Sequence, residues 1–106
     1  MDVETRSRYE ARARILRALA HPSRLFIVEE LARGERCVCD LQAMIGSDMS
    51  TVSKHLAQLK GAGVVESDKR GAQVFYSLRA TCVSGFLDCI QNILQDNARR
   101  QLECER

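Results

Sequence analysis

Apolar side chains along this chain fall into helix-spaced clusters interrupted once by a strand-like pair of runs. Ile15, Leu16 and Leu19 share a helical spacing that predicts a first helix over residues 9–20, after a polar segment 1–8 expected to fray. Pro22 suits the first turn of a second helix carrying Leu25, Ile27, Val28 and Leu31, which Gly34 ends. A short third helix is expected over residues 38–45, stopping at Gly46. Asp48 can accept the free N–H groups of a fourth, whose stripe is Val52, Leu56 and Leu59, with Gly61 and Gly63 closing it. Val64 and Val65 open a strand, Lys69-Arg70-Gly71-Ala72 reads as a turn, and residues 74–78 return as the second strand. A last helix is expected over residues 82–100. The expected fold is mainly α with one β-hairpin.

Composition narrows the classes. The chain has 106 residues, 45% hydrophobic and 28% charged, which is ordinary for one small globular domain. No run is long and apolar enough to cross a bilayer and none follows the first residues, so a cytoplasmic protein with no membrane partner is expected. The net charge of +2 divides as +2, +1 and −1 over residues 1–36, 37–80 and 81–106. Any nucleic-acid contact must therefore come from a local patch. The five cysteines are odd in number and lack an export signal, which argues for reduced thiols over a disulfide framework. No nucleophile–base pair, phosphate-cradling loop or shared-face acid pair is present, so neither an enzyme nor a small-molecule substrate is expected.

The third and fourth helices are joined by a few residues around Gly46-Ser47-Asp48, the spacing of a helix-turn-helix over residues 38–60. Ser50, Thr51, Ser53, Lys54, His55 and Gln58 lie off the apolar stripe of the second of these helices. Small hydroxyls there permit close approach to a duplex, and Lys54 and His55 add donors for phosphates. Taken alone, such a face is more simply a solvated one. The hairpin over residues 64–78 changes the balance, because Lys69 and Arg70 sit at its turn, with Gln73 beside them, as a basic wing would require. Cations at a hairpin tip also keep strand edges soluble, but helix-turn-helix and wing together favour double-stranded DNA as the partner.

Leu19-Ala20-His21-Pro22-Ser23-Arg24-Leu25, residues 50–56, residues 59–65 and Arg70-Gly71 with Tyr76-Ser77-Leu78 together resemble the signature, recognition helix, helix exit and wing of the ArsR/SmtB metalloregulatory repressors. The resemblance covers about residues 10–80. It implies a homodimeric winged helix-turn-helix repressor that leaves operator DNA on binding an inducer, with residues 9–20 and 82–100 as dimerisation helices. Tyr9, Ile15, Leu16 and Leu19, with Val83, Phe86, Leu87, Ile90 and Leu94, are the candidate dimer contacts.

Cys37-Val38-Cys39-Asp40-Leu41 begins the third helix with a thiol at the cap and Asp40 at the third helical position. Sulfur is a poor cap acceptor, whereas soft thiolates select ions such as zinc, copper(I) or cadmium over calcium and magnesium. On spacing alone a Cys-x-Cys is more often incidental. The segment is similar, however, to the Leu-Cys-Val-Cys-Asp-Leu box of the family's arsenic, antimony, cadmium and lead sensors. That resemblance implies Cys37 and Cys39 as ligands of As(III) or Sb(III), or alternatively Cd(II) or Pb(II). Gln42 stands where one arsenic-sensing branch has a third cysteine, and residues 1–36 lack the cysteines of cadmium/lead sensors. A third thiol would be Cys82, Cys89 or Cys104. Cys82, Phe86, Cys89 and Ile93 also read as a packing seam. His21 and His55 are not expected to bind metal.

If residues 37–40 are helical, side chains two apart point about 200° from each other. Ligation would then bend the start of the helix that braces the recognition helix. Half-sites about 34–36 Å apart tolerate little misalignment, so DNA would be released. Two other readings stay open: a thiol-redox repressor acting through Cys82, Cys89 or Cys104, and a small metal-buffering or protein-interaction domain.

Overall fold

The computed structural model describes residues 1–104. Its elements are α1 (Val3–Leu19), α2 (Pro22–Arg33), β1 (Arg36–Cys37), α3 (Val38–Ile45), α4 (Met49–Gly61), β2 (Val65–Arg70), β3 (Gln73–Leu78) and α5 (Val83–Cys104). The three strands form an antiparallel sheet in the order β1-β3-β2. This is a winged helix-turn-helix fold, as the apolar pattern implies.

Caps explain most boundaries. Asp2 accepts the Thr5 N–H at 2.8 Å and starts α1 at Val3, so the polar segment expected to fray is helical. That helix buries only Ala18 and Leu19, so its first turns leave no apolar period to detect. Pro22 takes the first position of α2, where its missing N–H costs no bond, and His21 Nδ1 accepts the Ser23 N–H at 3.1 Å. Gly46 ends α3 at φ +82°, a left-handed conformation that glycine adopts without steric penalty.

The core is built where the patterned faces converge. Ile27, Val28 and Leu31 of α2, Leu41 of α3, and Val52, Leu56 and Leu59 of α4 pack with Val64 and Val65. Leu19, Val83 and Leu87 join them and are 4–8% exposed, which corrects their expected place on a dimer face. They fill the chain's own interior. The other expected dimer contacts remain open, with Tyr9, Ile15 and Leu16 on α1 and Phe86, Ile90 and Leu94 on α5 between 36% and 56% exposed. Ile93 and Leu102 extend that exposed surface of α5. The radius of gyration is 16.8 Å, well above the roughly 13 Å of a compact chain this long. Among the described residues no helix is long and apolar enough to cross a membrane.

Candidate nucleic-acid interface and thiol site

The start of α4, the expected recognition helix, is set by its cap. Asp48 Oδ1 accepts the Thr51 N–H at 2.7 Å, and its hydrogen bonds from Thr51 hold the carboxylate below its ordinary range, with Lys54 adding a smaller pull. Val52, Leu56 and Leu59 are at most 1% exposed, so the opposite face, with Ser50, Thr51, Ser53 and Lys54, is turned to solvent. At the far end of the helix, Lys60 Nζ donates to Ser67 Oγ at 2.7 Å, tying α4 to the wing.

His55 departs from that open face. It is half-buried, its ring centroid 4.3 Å from that of His21. Burial first, then the charges of His21 and Arg24, hold its imidazole below the ordinary value. It braces α4 against the start of α2 more than it offers a free donor. Arg24 in turn closes the end of α1, its Nη1 donating to the Ala18 carbonyl at 3.1 Å.

The wing spans nearly the expected residues, but its turn is shorter than the expected 69–72. Its strands run to Arg70 and from Gln73, leaving Gly71 and Ala72 as the turn, with Gly71 at φ +62°. Lys69 and Gln73 are exposed there. Arg70, expected as a free cation at the tip, is a strand residue with three engaged donors. Its Nη1 and Nη2 reach the two Glu35 carboxylate oxygens at 2.6 and 2.8 Å, and Nε reaches Asp68 Oδ2 at 2.9 Å. Its guanidinium carbon also lies 4.8 Å from the Phe75 ring centroid.

Cys37 ends β1 and caps α3. Its backbone is extended (φ −80°, ψ 158°), its Sγ accepts the Asp40 N–H at 3.4 Å, and only 8% of it is exposed. The premise that residues 37–40 are all helical is therefore corrected: Cys37 stands outside the helix, and the 200° separation does not apply. Cys39, in the first turn, is exposed. Both cysteines line one cavity of about 310 Å³, together with Met49 and Ser53 of α4 and Ala72, Gln73 and Val74 of the wing. Cys37 and Cys39 thus share a cavity with residues of both parts of the expected DNA-reading unit. A pair of soft sulfur donors in one opening fits a thiophilic ion.

The other cysteines lie elsewhere. Cys82 precedes α5, Cys89 and Cys104 are on it, and all three are exposed. Among the described residues no group of three or more Cys, His, Asp or Glu side chains is placed to share an ion. Sequence reading missed β1, whose Arg36 and Cys37 pair with Tyr76 and Phe75 of β3. It also missed Glu30, a 7%-exposed carboxylate 3.5 Å from Arg33 and 3.9 Å from Arg36. An acid set within the apolar run of α2 was the available signal for Glu30. Glu35 offers none, since its partner is 35 positions away.

A family model described as "Bacterial regulatory protein, arsR family" matches residues 21–67. The chain is 43% identical over 76 residues to the HTH-type transcriptional regulator NmtR of Mycobacterium tuberculosis, covering 72% of this chain and 63% of that one. It is 33% identical over 81 residues to the biofilm growth-associated repressor of Xylella fastidiosa, covering 76% of this chain and 71% of that one. It spans about half to two-thirds of the length of several curated relatives it matches. Among solved structures, the homodimeric winged helix-turn-helix DNA-binding domain Mb0332 of Mycobacterium bovis superposes with a TM-score of 0.79 at 27% identity, over 94% of this chain and 93% of that one. On its fold, its helix-turn-helix and these matches, the chain belongs to the arsR family of bacterial regulatory proteins.

Proposed function

We propose that this chain is a homodimeric transcriptional repressor whose α4 and wing bind operator DNA, and that As(III) or Sb(III) held by Cys37 and Cys39 releases it. The observation that carries this reading is the shared cavity: Cys37 and Cys39 both line it, with Met49 and Ser53 of α4 and the wing residues Ala72, Gln73 and Val74. Cys37 Sγ cannot be both a metal ligand and the cap of α3 without weakening the cap. A change at this pair thus acts on the brace and on the reading helix at once. Cd(II) and Pb(II) are the alternative ions for the same thiols. With two protein thiols in the cavity, a third donor must come from solvent or from a second copy.

Dimerisation is supported by the open apolar faces of α1 and α5 and by the extended shape of the single chain. Covering those faces would remove from water most of the large apolar side chains that stand exposed among the described residues. The relative from Mycobacterium bovis is described as homodimeric, which agrees.

The test is release of promoter DNA by arsenite, antimonite, cadmium, lead and zinc, followed by fluorescence anisotropy. Cys37→Ser and Cys39→Ser should keep DNA affinity and lose the response to the inducing ion. If both variants still release DNA at wild-type ion concentrations, this pair is not the sensor. Gel filtration should give a dimer at micromolar concentration.

A further inference from the structure

Arg70 is the one expected DNA contact that this structure holds in ion pairs. Two carboxylates, Glu35 and Asp68, engage three of its donors, and its flat face lies over Phe75. With Lys69 counted, two cations and two acids then meet at this end of the wing, so its net charge is zero. A neutral tip is a poor partner for a polyanion. The pairing partner also comes from a different part of the chain: Glu35 precedes β1, two residues before Cys37, and Cys37 pairs in register with Phe75. The ion pair therefore straps the wing to the segment that leads into the thiol cavity.

The strap is strong in geometry but light in energy. A bidentate carboxylate matches the guanidinium fork. Yet Arg70 and Glu35 side chains are 51% and 37% exposed, and ion pairs this exposed to solvent are only weakly stabilising. A phosphate offers the same fork-matching oxygens without a covalent tether to the protein.

We propose that Glu35 is a positioning residue that withholds Arg70 from DNA, so that Arg70 stays on the Glu35 carboxylate when the wing docks and reaches a backbone phosphate only where that carboxylate is removed. This rests on the DNA-binding reading above. Arg70 is then nearly silent in the wild-type protein, because its guanidinium stays engaged by Glu35. Removing the Glu35 charge makes Arg70 count in full.

The experiment is a double-mutant cycle of Glu35→Gln, Arg70→Gln and the pair. Each protein is titrated against a fluorescent mixed-sequence duplex of about 30 base pairs between about 50 and 200 mM salt. Glu35→Gln should bind about three- to fivefold tighter at the low-salt end. Its plot of log affinity against log salt should steepen by about one phosphate contact. Arg70→Gln should stay near wild type, and the double variant should match Arg70→Gln. An unchanged slope in Glu35→Gln overturns the proposal. So does an equal gain in the Arg70→Gln background, which would mean that only the lost negative charge mattered. Salt-independent or absent binding by the wild-type chain would sink the DNA-binding reading and this proposal with it. Steep wild-type salt dependence with an unchanged Glu35→Gln slope sinks this proposal alone. Glu35→Asp, which keeps the charge, should retain the wild-type slope, and thermal melts confirm that each variant is folded.

Discussion

The two helices of the helix-turn-helix begin in different ways. Helix α4 starts on a carboxylate, Asp48, whose oxygen lies 2.7 Å from the amide it accepts. Helix α3 starts on a thiol, Cys37, at 3.4 Å from the amide of Asp40. Oxygen caps of this kind stabilise a helix, and sulfur is a weaker acceptor. Each helix buries a leucine in the same core, Leu41 at 0% exposure in α3 and Leu56 at 1% in α4, and the longer α4 also buries Val52 and Leu59. The chemical contrast lies at the helix starts. Helix α4 starts on an oxygen cap, and α3 carries the weaker sulfur cap beside the cavity that Cys37 and Cys39 line.

The comparison can be broken most forcefully from the inside. Leu41→Ala and Leu56→Ala should each cost about 2–5 kcal/mol in urea unfolding, because both remove fully buried methyl groups from one core. A cost at Leu41 well below that at Leu56 would mean that α3 is loosely packed throughout, and that its weak cap is not its distinguishing feature. Next in size is the opposite end of α3. Gly46→Ala should cost about 1–2 kcal/mol, since a left-handed backbone is strained for any residue with a Cβ. An added Cβ meets nothing within 4 Å, so no clash contributes. The helix that starts weakly would thus prove to be firmly ended.

The smallest effect sharpens the carboxylate side. Asp48 has a folded-state pKa below its ordinary 3.8. Its contribution is therefore fully present above that ordinary value and is lost as pH falls through the lower folded one. The Thr51 amide resonance should shift across this acid window, and Asp48→Asn should abolish the shift. An unmoved Thr51 amide would show that the cap is not made by the ionised carboxylate.

Much of this architecture was legible locally. Pro22, Gly46 and Asp48 mark helix ends through backbone chemistry confined to a few neighbours, and the Val52, Leu56 and Leu59 stripe identifies the buried face of α4. The start of α1 escaped because periodicity registers only buried faces, and its first turns bury nothing. The candidate thiols were legible as a spacing, and Cys37 as a cap, but their shared opening was not. Its far wall is Met49, Ser53 and the wing turn, which only the folded arrangement brings opposite them. Apolar spacing likewise could not tell Val83 and Leu87, which fill the interior, from Phe86 and Ile90, which stay exposed. A period gives a direction around the helix axis and says nothing of what stands there.

What the sequence by itself determined was therefore the set of elements, their order and most of their ends, because caps, breakers and spacing act within a turn or two of the chain. Tertiary structure alone decided that residues 36 and 37 are a strand, that Arg70 is bound to Glu35, that His55 rests on His21, and that Cys37 and Cys39 line one cavity with residues of α4 and the wing. Each of these joins groups far apart in sequence. Their contact depends on how the core closes, which no local pattern encodes.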